Sequence, residues 1–246
     1  MTKKTGIKKT PGAGVDRVEW MDAERRVHVA KASDPTALEH VTPGAPTRLP
    51  MKWDKQRASQ GHYWCSGTQT MVWHESMSEF TAMMLLDHLF DIIDVCAQPM
   101  LLTFANGRHH TPDYFITTAQ GERILVDVHD ADLTTEADAL KFELTRLLCE
   151  RVGWRYELFD TFTDATRWSL EMMARYQHPR YAPNAATEAR ILKLVSKHET
   201  FGALREALVT DKPGEHLPAV FHLMWQRAIR FELDKSFSDR TRLYAA

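Results

Sequence analysis

The stretch His110-Thr111-Pro112-Asp113-Tyr114-Phe115-Ile116-Thr117, followed after a Gln120-Gly121 turn by Arg123-Ile124-Leu125-Val126-Asp127-Val128-His129, decides how this chain is read. Both halves are short, rich in β-branched and aromatic residues, and bounded by turn residues, which predicts extended segments over 113–117 and 123–129. The second half is nearly all apolar from Ile124 to Val128, as in a strand buried on both faces. An aspartate inside such a strand is costly, because an unpaired buried carboxylate loses several kcal/mol of hydration or takes up a proton. Asp127 therefore needs a partner or a metal ion. A single aspartate of this kind is most often satisfied by backbone N–H groups or an arginine. Asp113 on the neighbouring segment supplies a second carboxylate, and two on successive strands point to a shared cation.

Outward from this centre the pattern extends in both directions. Met100 to Phe104 reads as a further strand, closed by an Asn106-Gly107 turn. Before it, Met77, Phe80, Met83, Met84 and Leu86 to Leu89 recur at helical spacing over 75–90, with Ser76 or Ser78 near the cap. After it, Ala137, Leu140, Leu144, Leu147, Leu148 and Val152 mark an amphipathic helix over 136–151 that stops at Gly153, and 154–159 is again extended. The order helix, three strands, helix, strand predicts an α/β (α+β) fold, a mixed sheet flanked by helices. A helix over 164–176 leads to the two prolines of the 178–184 segment, the best boundary in the chain. Beyond it three short helical patterns, near 186–197, 201–208 and 217–227, and an extended tail at 229–233 outline a small helical or winged-helix C-terminal domain. The expected division is a partly irregular extension over 1–60, in which 15–20 and 26–29 fit short strands or irregular structure, a domain over 61–178 and a second over 184–246.

Length and composition fit two small domains: 246 residues with 43% hydrophobic content bury a sizeable core. A formal net charge of −2 excludes a global basic field, so any contact with nucleic acid is local. Two basic clusters, Lys3, Lys4, Lys8 and Lys9, then Arg48, Lys52, Lys55 and Arg57, fit phosphate contact or solvated charge equally well. Cys65, Cys96 and Cys149 show no paired spacing, which argues against a disulfide framework or zinc ribbon and fits a reducing cytoplasm. No apolar run approaches a membrane span, so no membrane partner is expected. The scattered histidines carry no zinc-binding spacing.

Four motifs in register give the chain a resemblance: Ser78-Glu79-Phe80, then Asp94-Val95 with Gln98-Pro99, then His110-Thr111-Pro112-Asp113-Tyr114, then Val126-Asp127-Val128-His129. Over roughly residues 73–160 it looks like the TnsA-like endonuclease subunits of heteromeric transposases, members of the PD-(D/E)xK superfamily. That resemblance implies a restriction-endonuclease-like core and a Mg²⁺ site, with Mn²⁺ as substitute, built from Glu79, Asp113 and Asp127. Glu75, one turn earlier, is the weaker alternative to Glu79. It also implies strand cleavage at transposon ends in double-stranded DNA, a DDE-type transposase subunit and an ATPase regulator as partners, and a bacterial cytoplasmic, nucleoid-associated location. A catalytically impaired assembly module and a stand-alone repair or defence nuclease are the competing readings.

His129 departs from the family, which has lysine there. Lysine is a fixed cation, whereas an unperturbed histidine is mostly neutral at pH 7. Either His129 acts as base or metal ligand, or Lys141 on the following helix reaches in, or the nuclease is impaired. His109 and His110 fit phosphate or outer-shell metal contact, though polar residues at a hairpin end are the commoner case, and Arg108 shares the ambiguity. Trp53, Trp64 and Trp73 more often anchor a core than stack on bases, and Trp225 reads as core. Arg190, Lys193 and Lys197 form a basic helical face that reads first as solvated.

Overall fold

The structure, a computed structural model, describes residues 6–11, 14–48, 59–212 and 214–246. Lys3, Lys4, Lys52, Trp53, Lys55 and Arg57 lie outside the described residues. The protein is mixed α/β, with seven α-helices among the described residues. It divides into two compact units, Met1–Met83 with Phe90–Thr161, and Met84–Leu89 with Phe162–Ala246.

The first unit opens with strands β1 (Arg17–Met21) and β2 (Val27–Lys31) and the one-turn helix α1 (Pro35–Leu38). A hairpin of β3 (Gly61–Cys65) and β4 (Thr70–His74) precedes helix α2 (Met77–Leu89), whose residues from Met84 belong to the second unit. Strands β5 (Ile92–Ala97), β6 (Met100–Thr103), β7 (His109–His110), β8 (Tyr114–Thr118) and β9 (Arg123–Val128) follow, then helix α3 (Glu136–Val152) and strand β10 (Arg155–Phe159).

These strands form two four-stranded sheets, ordered β2-β1-β6-β7 and β10-β9-β8-β5. The first is antiparallel throughout. In the second, β10 runs parallel to β9 and the other pairs are antiparallel, so the sheet is mixed. The parallel pair needs a crossover, and α3 supplies it. Its start is fixed by a capping box between Thr135 and Asp138, and its end by Gly153, whose φ of 76° suits a residue without a side chain. Ile124, Leu125 and Val126 are fully buried because β9 lies between two neighbours with packed faces. Leu125, Phe115, Leu148, Cys149 and Trp154 share one core with Val18 and Leu102 of the other sheet.

Two points of the sequence reading concern strands. The 100–104 segment does not lie beside 113–117; it pairs with β1 and β7 in the other sheet. Its place beside β8 is taken by β5, an edge strand that exposes Ile93 and Asp94 and follows α2 without a glycine or proline to punctuate it. In residues 17–31, where short strands and irregular structure were both open, two strands of a sheet form, with Val18, Trp20 and Met21 buried.

The second unit contains α4 (Asp164–Ala174), α5 (Ala185–Val195), α6 (Phe201–Ala207), α7 (Leu217–Trp225) and a short antiparallel pair, β11 (Ile229–Arg230) with β12 (Tyr244–Ala245). The expected boundary at 178–184 falls inside this unit, which begins at Phe162. The reason is packing: the Tyr176 ring stacks on Phe221 at 5.1 Å, and the Tyr176 carbonyl accepts a hydrogen bond from His222 Nδ1 at 2.8 Å. Helix α7 buries Val220, Leu223, Met224 and Trp225, so Trp225 is core, as its apolar setting predicts. Among the described residues no helix is long and apolar enough to cross a membrane.

Candidate active site

Asp113 sits one residue before β8, where three backbone hydrogen bonds fix it. Its N–H donates to the Val126 carbonyl at 2.9 Å, and its carbonyl accepts from the Gln98 N–H at 2.7 Å. Its carboxylate Oδ2 accepts the Val128 N–H at 2.7 Å. Gln98 adopts the left-handed φ of 49° to make that contact, and its own carbonyl is held by the Thr47 N–H and hydroxyl. A strained, buried, non-glycine residue beside a carboxylate is the kind of local cost that collects at functional sites.

Asp113 and Asp127 line one cleft of about 720 Å³, together with His129 from the end of β9 and His109 and His110 from β7. Lys9, Arg48 and Lys141 stand on the same walls. The two carboxylates differ in their surroundings. Asp127 is only 2% exposed, yet both its oxygens are held: His110 Nε2 lies 2.9 and 2.8 Å from Oδ1 and Oδ2, and the Tyr156 hydroxyl donates to Oδ2 at 2.6 Å. Burial, with Asp127 close by, pushes the Tyr156 phenol far above its ordinary value. Asp113 is raised well above the usual carboxylate range, first by burial and then by the charges of Asp127 and Glu79. Crowding of acids is the physical signature of a cation site.

Glu79 is close enough to act on Asp113 electrostatically, but it does not line the cleft. Its carboxylate closes the start of its own helix, accepting the Glu75 N–H at 2.7 Å and the Ser76 hydroxyl at 3.0 Å. Burial raises its pKa, while those two hydrogen bonds pull it down. Glu75 is paired with Arg48, so the weaker alternative is engaged as well. The sequence places a helix acid here without signalling that the helix itself would use it.

His129 occupies the position expected of lysine. Its ring packs on Phe142 at 5.3 Å, and its Nε2, shielded from solvent, lies 3.8 Å from Asp138 Oδ2 without a hydrogen-bond partner. Lys141 donates to the other oxygen of Asp138 at 2.9 Å and lies over the Phe142 ring at 4.5 Å. Asp138 thus joins the two candidate cations, and its carboxyl is held well below the usual range by Thr135 and then Lys141.

His110 and His109, ambiguous in sequence, are both in the cleft wall, whereas Arg108 is exposed and does not line it. Trp64 and Trp73 are half-buried away from it, with Trp73 edge-on to His62. Sequence reading missed Tyr156, Asp138 and Glu19. Glu19 alone had a visible signal, an acid inside the apolar Val18-Glu19-Trp20-Met21 run. Comparison with family models and with curated proteins gives no match for this chain.

Proposed function

We propose that the first unit is the restriction-endonuclease-like core of a metal-dependent DNA endonuclease, acting within a heteromeric transposase to hydrolyse one strand at transposon ends. The observation that carries this reading is the placement of Asp113, just before β8, and Asp127, on the neighbouring β9, in one cleft, with Asp113 driven towards its neutral form first by burial and then by acidic neighbours. The mixed sheet supports it too: its members β5, β8, β9 and β10 follow α2 in the chain, with α3 crossing from β9 to β10 and β6 and β7 leaving for the other sheet between β5 and β8.

The donor set fits a hard divalent cation. Among the described residues no three His, Cys, Asp or Glu side chains stand as a ready-made cage. Mg²⁺ seldom needs one, because it keeps several waters and takes one or two carboxylates plus substrate phosphate. Asp113 and Asp127 would hold it, with Glu79 acting through water. Bound there, Mg²⁺ or Mn²⁺ polarises the scissile phosphate and lowers the pKa of water. The chain's own residues do the rest. Lys9, Arg48 and Lys141 attract the phosphate backbone. Lys141 supplies the fixed positive charge that position 129 lacks, and His129 adds a second ion pair with Asp138 whenever its ring carries a proton.

A second reading, a silent assembly module, draws on the engaged state of Asp127 and Glu79. In both readings the second unit serves the DDE-type transposase subunit or the ATPase regulator. Its helix α7 is spent on the core of that unit, so it is not a helix laid into a DNA groove. The deciding experiment incubates the protein, alone and with its neighbouring transposase, on transposon-end DNA with Mg²⁺ or Mn²⁺. Metal-dependent nicking is expected, lost in Asp113→Ala and raised severalfold in His129→Lys. Silence of the wild type in every condition, with DNA or partner binding intact, selects the assembly module.

A further inference from the structure

Three side chains from three strands meet beside the cleft without a role in the scheme above. Glu19 on β1 is a carboxylate only 7% exposed, and Thr103 on β6 is fully buried. The Thr103 hydroxyl donates to Glu19 Oε2 at 3.1 Å, and Thr103 Oγ1 itself lies 3.1 Å from His109 Nδ1. The register explains the meeting. Thr103 is directly opposite His109 across the β6–β7 pair, while Glu19 is opposite Leu101, two residues along β6 and therefore diagonal to Thr103 on the same face.

The proton inventory fixes the histidine tautomer. A carboxylate only accepts, and a threonine hydroxyl has one hydrogen to give. That hydrogen goes to Glu19, so the Thr103 oxygen must accept from His109 Nδ1–H. The neutral ring then carries its lone pair on Nε2. The other histidines of the cleft are not so placed. His110 commits Nε2 to Asp127, and His129 Nε2 is shielded from solvent.

We infer that His109 is the proton acceptor for the water that attacks the phosphodiester, and that Thr103 and Glu19 are positioning residues that hold its tautomer. The inference rests on the nuclease reading given above. In this step one O–H proton of water passes to His109 Nε2 as its oxygen forms the new bond to phosphorus. The opposite P–O ester bond breaks, and the leaving oxygen takes its proton from solvent. Glu19 also gives the N-terminal strands a place in the site.

Two measurements on the full chain test this. In ¹⁵N-labelled protein, long-range ¹H–¹⁵N correlation should report the Nδ1–H tautomer for His109, and Thr103→Val should lose that preference while Thr103→Ser keeps it. A wild-type Nε2–H tautomer overturns the relay whatever the activity. In the nicking assay, His109→Ala should lower turnover by about 10²- to 10³-fold with DNA affinity little changed, and added imidazole should restore part of it. Glu19→Gln should cost on the order of 10-fold through His109 alone, so it should add nothing in the His109→Ala background. If His109→Ala nicks like wild type while Asp113→Ala is dead, the inference falls and the nuclease reading stands. A wild type that nicks nothing overturns both.

Discussion

Asp113 in the cleft and His88 near the end of α2 are both buried ionisable side chains, and they are buried on opposite terms. His88 is neutral and satisfied: its Nδ1 donates to the Trp225 carbonyl at 3.0 Å, its ring lies against the Trp225 ring, and burial depresses its pKa to about 4. At Asp113 burial likewise opposes the charged form, and the neighbouring Asp127 and Glu79 charges add to it, so its pKa is raised. A buried group that finds a main-chain partner stabilises a fold. A buried acid set beside two more acids works against the fold when it ionises. Burial thus opposes charge at both sites, and what separates them is the neighbours, a main-chain acceptor for His88 and further acids for Asp113.

The largest expected effect is at Asp113. Asp113→Asn should abolish nicking, a loss on the order of 10³-fold, equivalent to about 4 kcal/mol in the transition state. The same change should make the protein more stable. For a carboxyl whose folded pKa is raised, the stabilising contribution is full below the unfolded value and is lost as pH rises through the folded value. Above the unfolded value the charge is therefore a burden, and removing it should show as a higher urea midpoint. A variant both inactive and less stable would break the comparison.

His88 should respond in the opposite direction. A histidine whose folded pKa is depressed contributes stability that is full above its unfolded value near 6.5 and lost as pH falls towards about 4. Urea unfolding should give a stability roughly 2 kcal/mol lower at pH 5 than at pH 8 from this group. His88→Phe should flatten that part of the profile, whereas Asp113→Asn should steepen the loss on acidification, because it removes a group that gains from it. Equal profiles in the two variants would mean that the two sites are not buried on opposite terms.

Tyr156 tests the intermediate case, Asp127, which is an acid in the cleft yet fully partnered. Tyr156→Phe deletes one of its three contacts and should destabilise by about 1–2 kcal/mol. It should also lower the Mg²⁺ concentration needed for half-maximal nicking, since Oδ2 then keeps His110 as its one remaining side-chain partner. Unchanged metal dependence would put Asp127 with His88, as a structural group.

The centre of the fold was legible because the apolar run Ile124 to Val126 with an aspartate behind it is a strong local signal. The helix α3 and its glycine stop were equally readable, since capping chemistry and periodicity coincide there. Pairing between distant strands was not. Nothing local in Met100 to Thr103 says that it joins β1 and not β8, because that choice is made by packing of Val18 against Leu102 and the rest of a shared core. The same limit applies to the site. Asp113 and Asp127 stand close in sequence and were found. Tyr156 beside Asp127, the Arg48–Glu75 pair, and the meeting of Glu19 with Thr103 and His109 arrive through contacts between distant segments, and of these residues Glu19 alone leaves a local trace.

The smallest expected effect belongs to the rim of the cleft, at Lys141. Its ion pair with Asp138 is partly exposed, with each side chain at 25%, so the pair is worth well under about 1 kcal/mol. Lys141→Ala should leave the urea midpoint almost unmoved. On the proposed nuclease reading, loss of one phosphate contact should weaken DNA binding evenly across sequences and reduce the salt slope of the affinity by about 1. Nicking should fall further than binding, because the cation at position 141 compensates for the histidine at 129. Restoring a lysine on the strand with His129→Lys should therefore rescue Lys141→Ala. Rescue would place the missing charge on the α3 helix, and failure would show that the cleft needs both groups in their present positions.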